Sequence, residues 1–182
     1  MRTALLAFCR LIDRLCEAGA AFAALACTLL AAMLIFESFS TAALGWSQPW
    51  AVEYGSYLCA FTLLSGSGYA LTRGAHIRVR IALEYLPAGA GRVLDLACTL
   101  VALTVVSLLV SGLIDLAYRS HVRGSVSYYV MQTPLWIPQS LLAMSAVLLW
   151  LAIAARGIRL MIGVPPEQAA DTQAPVHQRH AS

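Results

Sequence analysis

The sequence predicts an all-α integral membrane protein with four transmembrane helices, an N-terminal amphipathic helix and both termini in the cytoplasm. Three observations carry this. The 182 residues are 60% hydrophobic and only 12% charged, far more apolar than a soluble domain of that size. Four apolar runs, at about residues 18–44, 52–72, 93–118 and 134–155, are each long enough to cross a hydrocarbon core of about 30 Å. The arginines gather at the ends of those runs. The net charge of +3 comes from arginine alone, with no lysine. A nucleic-acid binder would concentrate its basic residues in a patch or stripe, so that class is excluded.

Residues 3–17 alternate at helical spacing. Leu5, Phe8, Cys9, Ile12 and Leu15 fall on one face, and Arg10, Asp13, Arg14 and Glu17 on the other. This describes either an amphipathic helix at the inner membrane surface or the polar stem of the first span. The first span follows. At roughly 25 residues it is too long for the 7–15-residue core of a secretory signal, so it is read as retained. Gly45-Trp46-Ser47-Gln48-Pro49-Trp50 is a short outer loop whose tryptophans suit the headgroup level.

The second span carries Gly55, Ser56, Ser65, Gly66, Ser67 and Gly68. Small residues let helices approach closely in lipid, which predicts a packing face here. The span ends abruptly at Arg73, followed by Gly74, His76, Arg78 and Arg80, then Leu86-Pro87 and Arg92. The third span follows, then a polar loop, 119–132, with Arg119, His121 and Arg123. The fourth begins at Pro134-Leu135-Trp136-Ile137-Pro138 and closes on Arg156 and Arg159. Proline costs little in a first helical turn. From 164 the chain turns polar and proline-containing, which predicts a disordered tail. Only Arg119 and Arg123 fall on the side opposite the other ten arginines, so the positive-inside rule puts both termini in the cytoplasm.

Ionisable groups near the spans are the first place to look for chemistry, because charge in hydrocarbon is costly. Glu53 and Asp95 lie near span ends, where a solvated or salt-bridged role is the default. Asp115 and Arg119 stand four apart, at ion-pair spacing. Glu37 is the deepest carboxylate; as the only deep one, it reads as a buried polar contact to a neighbouring helix before it reads as an ion ligand. None of the four histidines lies inside a span, so an embedded haem lacks its axial ligands. No cysteine pair has metal-site spacing, and no nucleophile–base arrangement is visible. No cofactor is expected and no enzyme is indicated. Four spans with small-residue faces and little buried charge fit a subunit packed on a larger partner. A stand-alone homo-oligomeric channel or exporter is the alternative.

Four groups of residues resemble the small membrane subunit of the tripartite ATP-independent periplasmic (TRAP) transporters, the DctQ-like family. These are Trp50-Ala51-Val52-Glu53 leading to Gly55; Arg73-Gly74-Ala75-His76-Ile77-Arg78-Val79, the most specific; Leu86-Pro87 before Arg92; and Thr133 to Pro138. Together the resemblance runs from about residue 18 to 163. Arg80 departs from it, standing where the family often has an acidic residue. The resemblance implies a bacterial inner-membrane scaffold for a large permease subunit. That subunit takes up carboxylate-containing solutes with a sodium gradient, fed by a periplasmic substrate-binding protein. Residues expected to touch a partner or lipid are Glu37, Trp50, Glu53, Gly66, Arg73, Gly74, His76, Arg78, Arg119, Arg123 and Trp136. Among these, Arg73 and Arg78 suit lipid phosphates, whereas Trp50, Glu53, Arg119 and Arg123 suit the outer face of the complex.

Overall fold

The computed structural model describes residues 2–46, 48–73, 88–129 and 131–163. Four helices account for nearly all of them: α1 Arg2–Leu44, α2 Pro49–Thr72, α3 Ala88–Val122 and α4 Trp136–Ile162. Gly74, His76, Arg78, Arg80, Leu86-Pro87 and the expected tail lie outside the described residues. Among those described there is no strand, only an isolated bridge between Val126 and Pro134.

α1 is unbroken over 43 residues, about 64 Å at 1.5 Å per residue. That is twice the thickness of a hydrocarbon core, and no break in the helix separates residues 2–17 from the rest. The least exposed positions explain the continuity. Cys9, Ile12, Cys16, Gly19, Ala23, Ala26, Leu30, Met33, Glu37 and Ser40 recur at alternating intervals of three and four. This is the seam of a left-handed helix pair, and it crosses the expected junction at residue 17 without interruption. The first turns are therefore continuous with the span, as the polar-stem reading has it.

The seam also divides the expected faces. Cys9 and Ile12 of the apolar face are buried in it while Leu5, Phe8 and Leu15 stay exposed, and Asp13, placed on the polar face with the arginines, is 3% exposed. In lipid, large apolar side chains gain little by turning inward, because acyl chains are as apolar as leucine. Small residues line the contact instead, and the bulky ones face out.

α2 packs against α1 and α4, α1 also against α4, and α3 against α4. α4 is thus the hub. Its residues 138, 142, 145, 149, 152, 156 and 159 repeat the three–four spacing, while Trp150, Ile153 and Gly157 turn towards α3. The resulting core is small: Cys9, Ile12 and Cys16 of α1 against Ala152 and Ala155 of α4. An added Cβ on Gly68 would meet Cys16 Sγ at 3.6 Å and the Leu149 backbone at 3.7 Å, so α2 and α4 nearly touch there. At Gly66 an added Cβ meets nothing within 4 Å. The close approach is at Gly68 and, against Met33 of α1, at Gly55, not at Gly66.

Three helices, α1, α3 and α4, are both long and apolar enough to cross a membrane. α2 is long enough, at 24 residues or about 36 Å, but its glycines, serines and Glu53 dilute its hydropathy. Glu53, Gly55, Ser65 and Gly68 among them are buried, so part of its weaker apolar character follows from its position between α1 and α4. α3 is the opposite: only 6% of its most apolar window is buried, against 39% for α4.

The helix ends follow from local chemistry. Pro49 occupies the first turn of α2 and Pro138 that of α4, where a missing N–H is harmless. Gly124 (φ +59°) ends α3 with the paired bonds Ser125 N–H to Ser120 O, 2.9 Å, and Gly124 N–H to His121 O, 3.1 Å. These define a Schellman stop. Ser127 N–H then donates to Thr133 O at 2.9 Å, and Leu135 N–H to Ser125 O at 3.1 Å. They fold 125–135 into a short hairpin and delay the start of α4 to Trp136.

Candidate functional site

The charged side chains sort to the two ends of the bundle. At the arginine-rich end, three carboxylates each meet a guanidinium on another helix. Arg159 of α4 pairs with Asp13 of α1, both buried. Arg156 of α4 grips Asp95 of α3 through Nη2, at 2.9 and 3.0 Å to the two carboxylate oxygens. Its Nη1 donates to Thr99 Oγ1 at 2.9 Å. Arg73 of α2 donates to Glu17 Oε1 of α1 at 3.0 Å and lies over the Tyr69 ring, 5.3 Å from its centroid. The first pair is buried, the second joins a buried arginine to a partly exposed Asp95, and the third is about one-third to one-half exposed. Together they tie α1 to α2, α1 to α4 and α3 to α4.

Arg156 and Arg159 were legible only as the basic close of the fourth span. Their partners lie 61 and 146 residues away in sequence, so no local pattern announces them. A buried Arg–carboxylate pair contributes little net stability compared with an apolar replacement, yet losing one partner costs about 3–5 kcal/mol. The pairs therefore act chiefly as registers, fixing how far each helix slides along its neighbour.

At the other end Glu37 and Glu53 are held by neutral donors, and only the exposed Asp115 meets an arginine. The backbone N–H of Gln48 donates to both oxygens of Glu37, each at 3.0 Å, and Thr41 Oγ1 donates to Oε1 at 3.3 Å. Glu37 thus ties the α1–α2 loop and the start of α2. The expected contact is to a neighbouring helix; the bonds instead come from Gln48 of the loop and from Thr41 of α1 itself. Ser40 Oγ adds a bond to the carbonyl of Trp46 at 3.1 Å. Glu53 is 1% exposed and accepts from Tyr57 Oη at 3.2 Å. Expected as an outer contact, its carboxylate is instead enclosed by the chain's own helices.

Tyr54 Oη lies 3.3 Å from Thr133 Oγ1, which seats the hairpin on α2. Trp136 stands edge-on to His121, centroids 5.2 Å apart. Trp50 is half-buried, its Nε1 donating to Gln48 Oε1 at 3.1 Å. Arg119 and Arg123 are exposed. The expected i,i+4 pair forms, with Arg119 Nε 2.8 Å from an Asp115 oxygen. The hairpin tip displays Tyr128, fully exposed, with Tyr129 and Met131 beside it.

Across the middle of the bundle the polar contacts are hydroxyl-based. Ser65 and Ser145 meet at 2.8 Å between α2 and α4, and Trp150 Nε1 donates to Ser107 Oγ at 2.7 Å between α4 and α3. Such bonds contribute about 0.6 kcal/mol each in membrane proteins. Among the described residues no group of His, Cys, Asp and Glu is placed to hold a metal.

A bundle of long helices, three of them apolar enough to cross a membrane, pinned by ion pairs and with no broken helix among the described residues, is that of a membrane protein. The family described as the DctQ component of tripartite ATP-independent periplasmic transporters matches residues 30–163. The chain belongs to that family, and is therefore of a transporter-component class and not of an enzyme family. No curated protein and no solved structure matches it significantly.

Proposed function

We propose that this chain is the fixed scaffold partner of a large permease subunit in sodium-driven, binding-protein-dependent uptake of carboxylate-containing solutes. The family supplies the transporter class. The observation that carries the scaffold role is the register-fixing set at one end, Asp13–Arg159, Asp95–Arg156 and Glu17–Arg73. Solute sites in secondary transporters use discontinuous helices and polar groups near the midplane. Here the described helices are continuous, and the mid-bundle contacts named above are a serine pair and an indole–serine bond.

In this reading all four helices span the bacterial inner membrane, with the arginine-rich end and both termini in the cytoplasm, in keeping with the positive-inside rule. The loop end then faces the periplasm. Arg119, Arg123 and Trp136, with the hairpin tip, form the surface on which the binding protein or the large subunit's outer face docks. α3, few of whose residues are fully buried, offers area for the large subunit or lipid.

Gentle-detergent purification of the tagged chain, with mass spectrometry of its companions, tests this. A stoichiometric large polytopic protein is expected. A defined homo-oligomer purified without one contradicts the scaffold reading.

A further inference from the structure

α3 leans on α4, and between α3 and α2 a cleft remains. Its volume is about 340 Å³, and its surface is mostly apolar. At one end stand Asp95, Thr99 and Arg156; towards the other stand Ala102, Val106 and Leu149. The polarity therefore changes along the cleft, charged at the arginine-rich end and apolar towards mid-bundle. A second groove, against Ser107, Val110, Ile114 and Trp150, has a similar volume but no ionisable residue in its lining. Only the first has a graded lining.

Its length is informative. From Asp95 to Val106 the α3 wall rises about 16 Å. Half of a hydrocarbon core is about 15 Å. The cleft is thus as long as the hydrocarbon of one leaflet is deep, and it is polar at one end only. Arg156 is fixed there by Asp95 and Thr99, so an arriving oxygen meets a guanidinium whose ordering cost is already met within the fold.

We propose that this cleft is the seat of a single phospholipid from the leaflet at the arginine-rich end. One acyl chain lies along Ala102, Val106 and Leu149, and its ester or phosphate oxygens lie beside Arg156. The lipid fills the gap that α3 leaves against α2, and so completes the packing of a helix that otherwise rests on α4. Because Asp95 offsets the charge of Arg156, the site discriminates little between anionic and zwitterionic headgroups. This rests on the cleft alone and is independent of the transport reading above.

The test uses the full chain in nanodiscs containing phosphatidylglycerol with a diazirine in its acyl chain, or the matching phosphatidylethanolamine. After irradiation, adducts are mapped by peptide mass spectrometry. Adducts concentrated at Ala102, Val106 or Leu149 are expected, with similar yields from both lipids. Ala102→Phe, which fills the apolar end, is expected to lose them, while Ser111→Phe in the second groove keeps them. Equal labelling of the outward residues Leu100, Val105 and Leu108 overturns the proposal, as does an unchanged yield in Ala102→Phe. Should Ala102→Phe fail to fold, the wild-type map decides alone. Cleft adducts that vanish when a co-purified protein partner is present mark a protein seat and also overturn it.

Discussion

The two ends of the bundle use carboxylates differently. At the arginine-rich end Asp13, Asp95 and Glu17 each meet an arginine from another helix. At the loop end Glu37 and Glu53 take backbone and hydroxyl donors, while Arg119 and Arg123 stay outside. Charge pairing at the first end sets the axial register between helices. Neutral hydrogen bonding at the second shapes a turn and a hairpin seat. The first arrangement is stiff and costly to break, whereas the second is local.

Substitutions can break that contrast. The largest effect is expected from Arg159→Ala, which strands Asp13 in the interface. Loss of about 3–5 kcal/mol should appear as a large drop in the unfolding midpoint in detergent. Replacing both partners, Asp13→Leu with Arg159→Met, should restore most of it. A double variant no better than the single one would show that the pair does more than set register. Next comes Gly68→Leu, which overpacks the α2–α4 contact and should cost about 1–3 kcal/mol. Gly66→Leu, facing open space, should leave stability unchanged by the same melt. Equal losses at both positions would refute the assigned α2 face.

A smaller, local effect is expected at the loop end. Glu37→Ala removes the acceptor for the Gln48 amide, comparable to losing a helix cap at about 1 kcal/mol. Hydrogen exchange at Gln48 should accelerate while amides in α4 keep their protection. Acceleration throughout the bundle would mean that Glu37 holds more than its loop. Last, Arg119→Ala should leave stability unchanged, because the pair with Asp115 is solvent-exposed and such pairs contribute little.

The helices were legible because apolar length and flanking arginines are local signals, but their ends were less so: α3 carries Arg119 and His121 on to Val122 and α4 runs to Ile162, past the apolar runs that announce them. The packing faces were less so. α1 looked amphipathic with Asp13 on its polar face, yet the three–four recurrence of Cys9, Cys16, Gly19, Ala23 and Ala26 was already present. Size, not hydropathy, marks the interior when the solvent is lipid. The small residues of α2 did announce a packing face, but Gly66 and Gly68 are indistinguishable by type; only the structure selects Gly68. The Asp13–Arg159 and Asp95–Arg156 pairs join residues far apart in sequence. Glu53 looked accessible because it sits near a span end, and the hairpin over α2 has no signature beyond Gly124.

The central claim is that this chain is a fixed scaffold. Ser65 and Ser145, with hydroxyls 2.8 Å apart, allow a direct test. Ser65→Cys with Ser145→Cys, in a chain whose five native cysteines are replaced, permits α2 to be locked to α4. Solute uptake would then be measured in proteoliposomes holding the whole transporter, with the bond formed and after reduction. The account predicts the same uptake rate in both states. Uptake that stops with the bond closed and returns on reduction would mean that these helices move during transport, contradicting the scaffold.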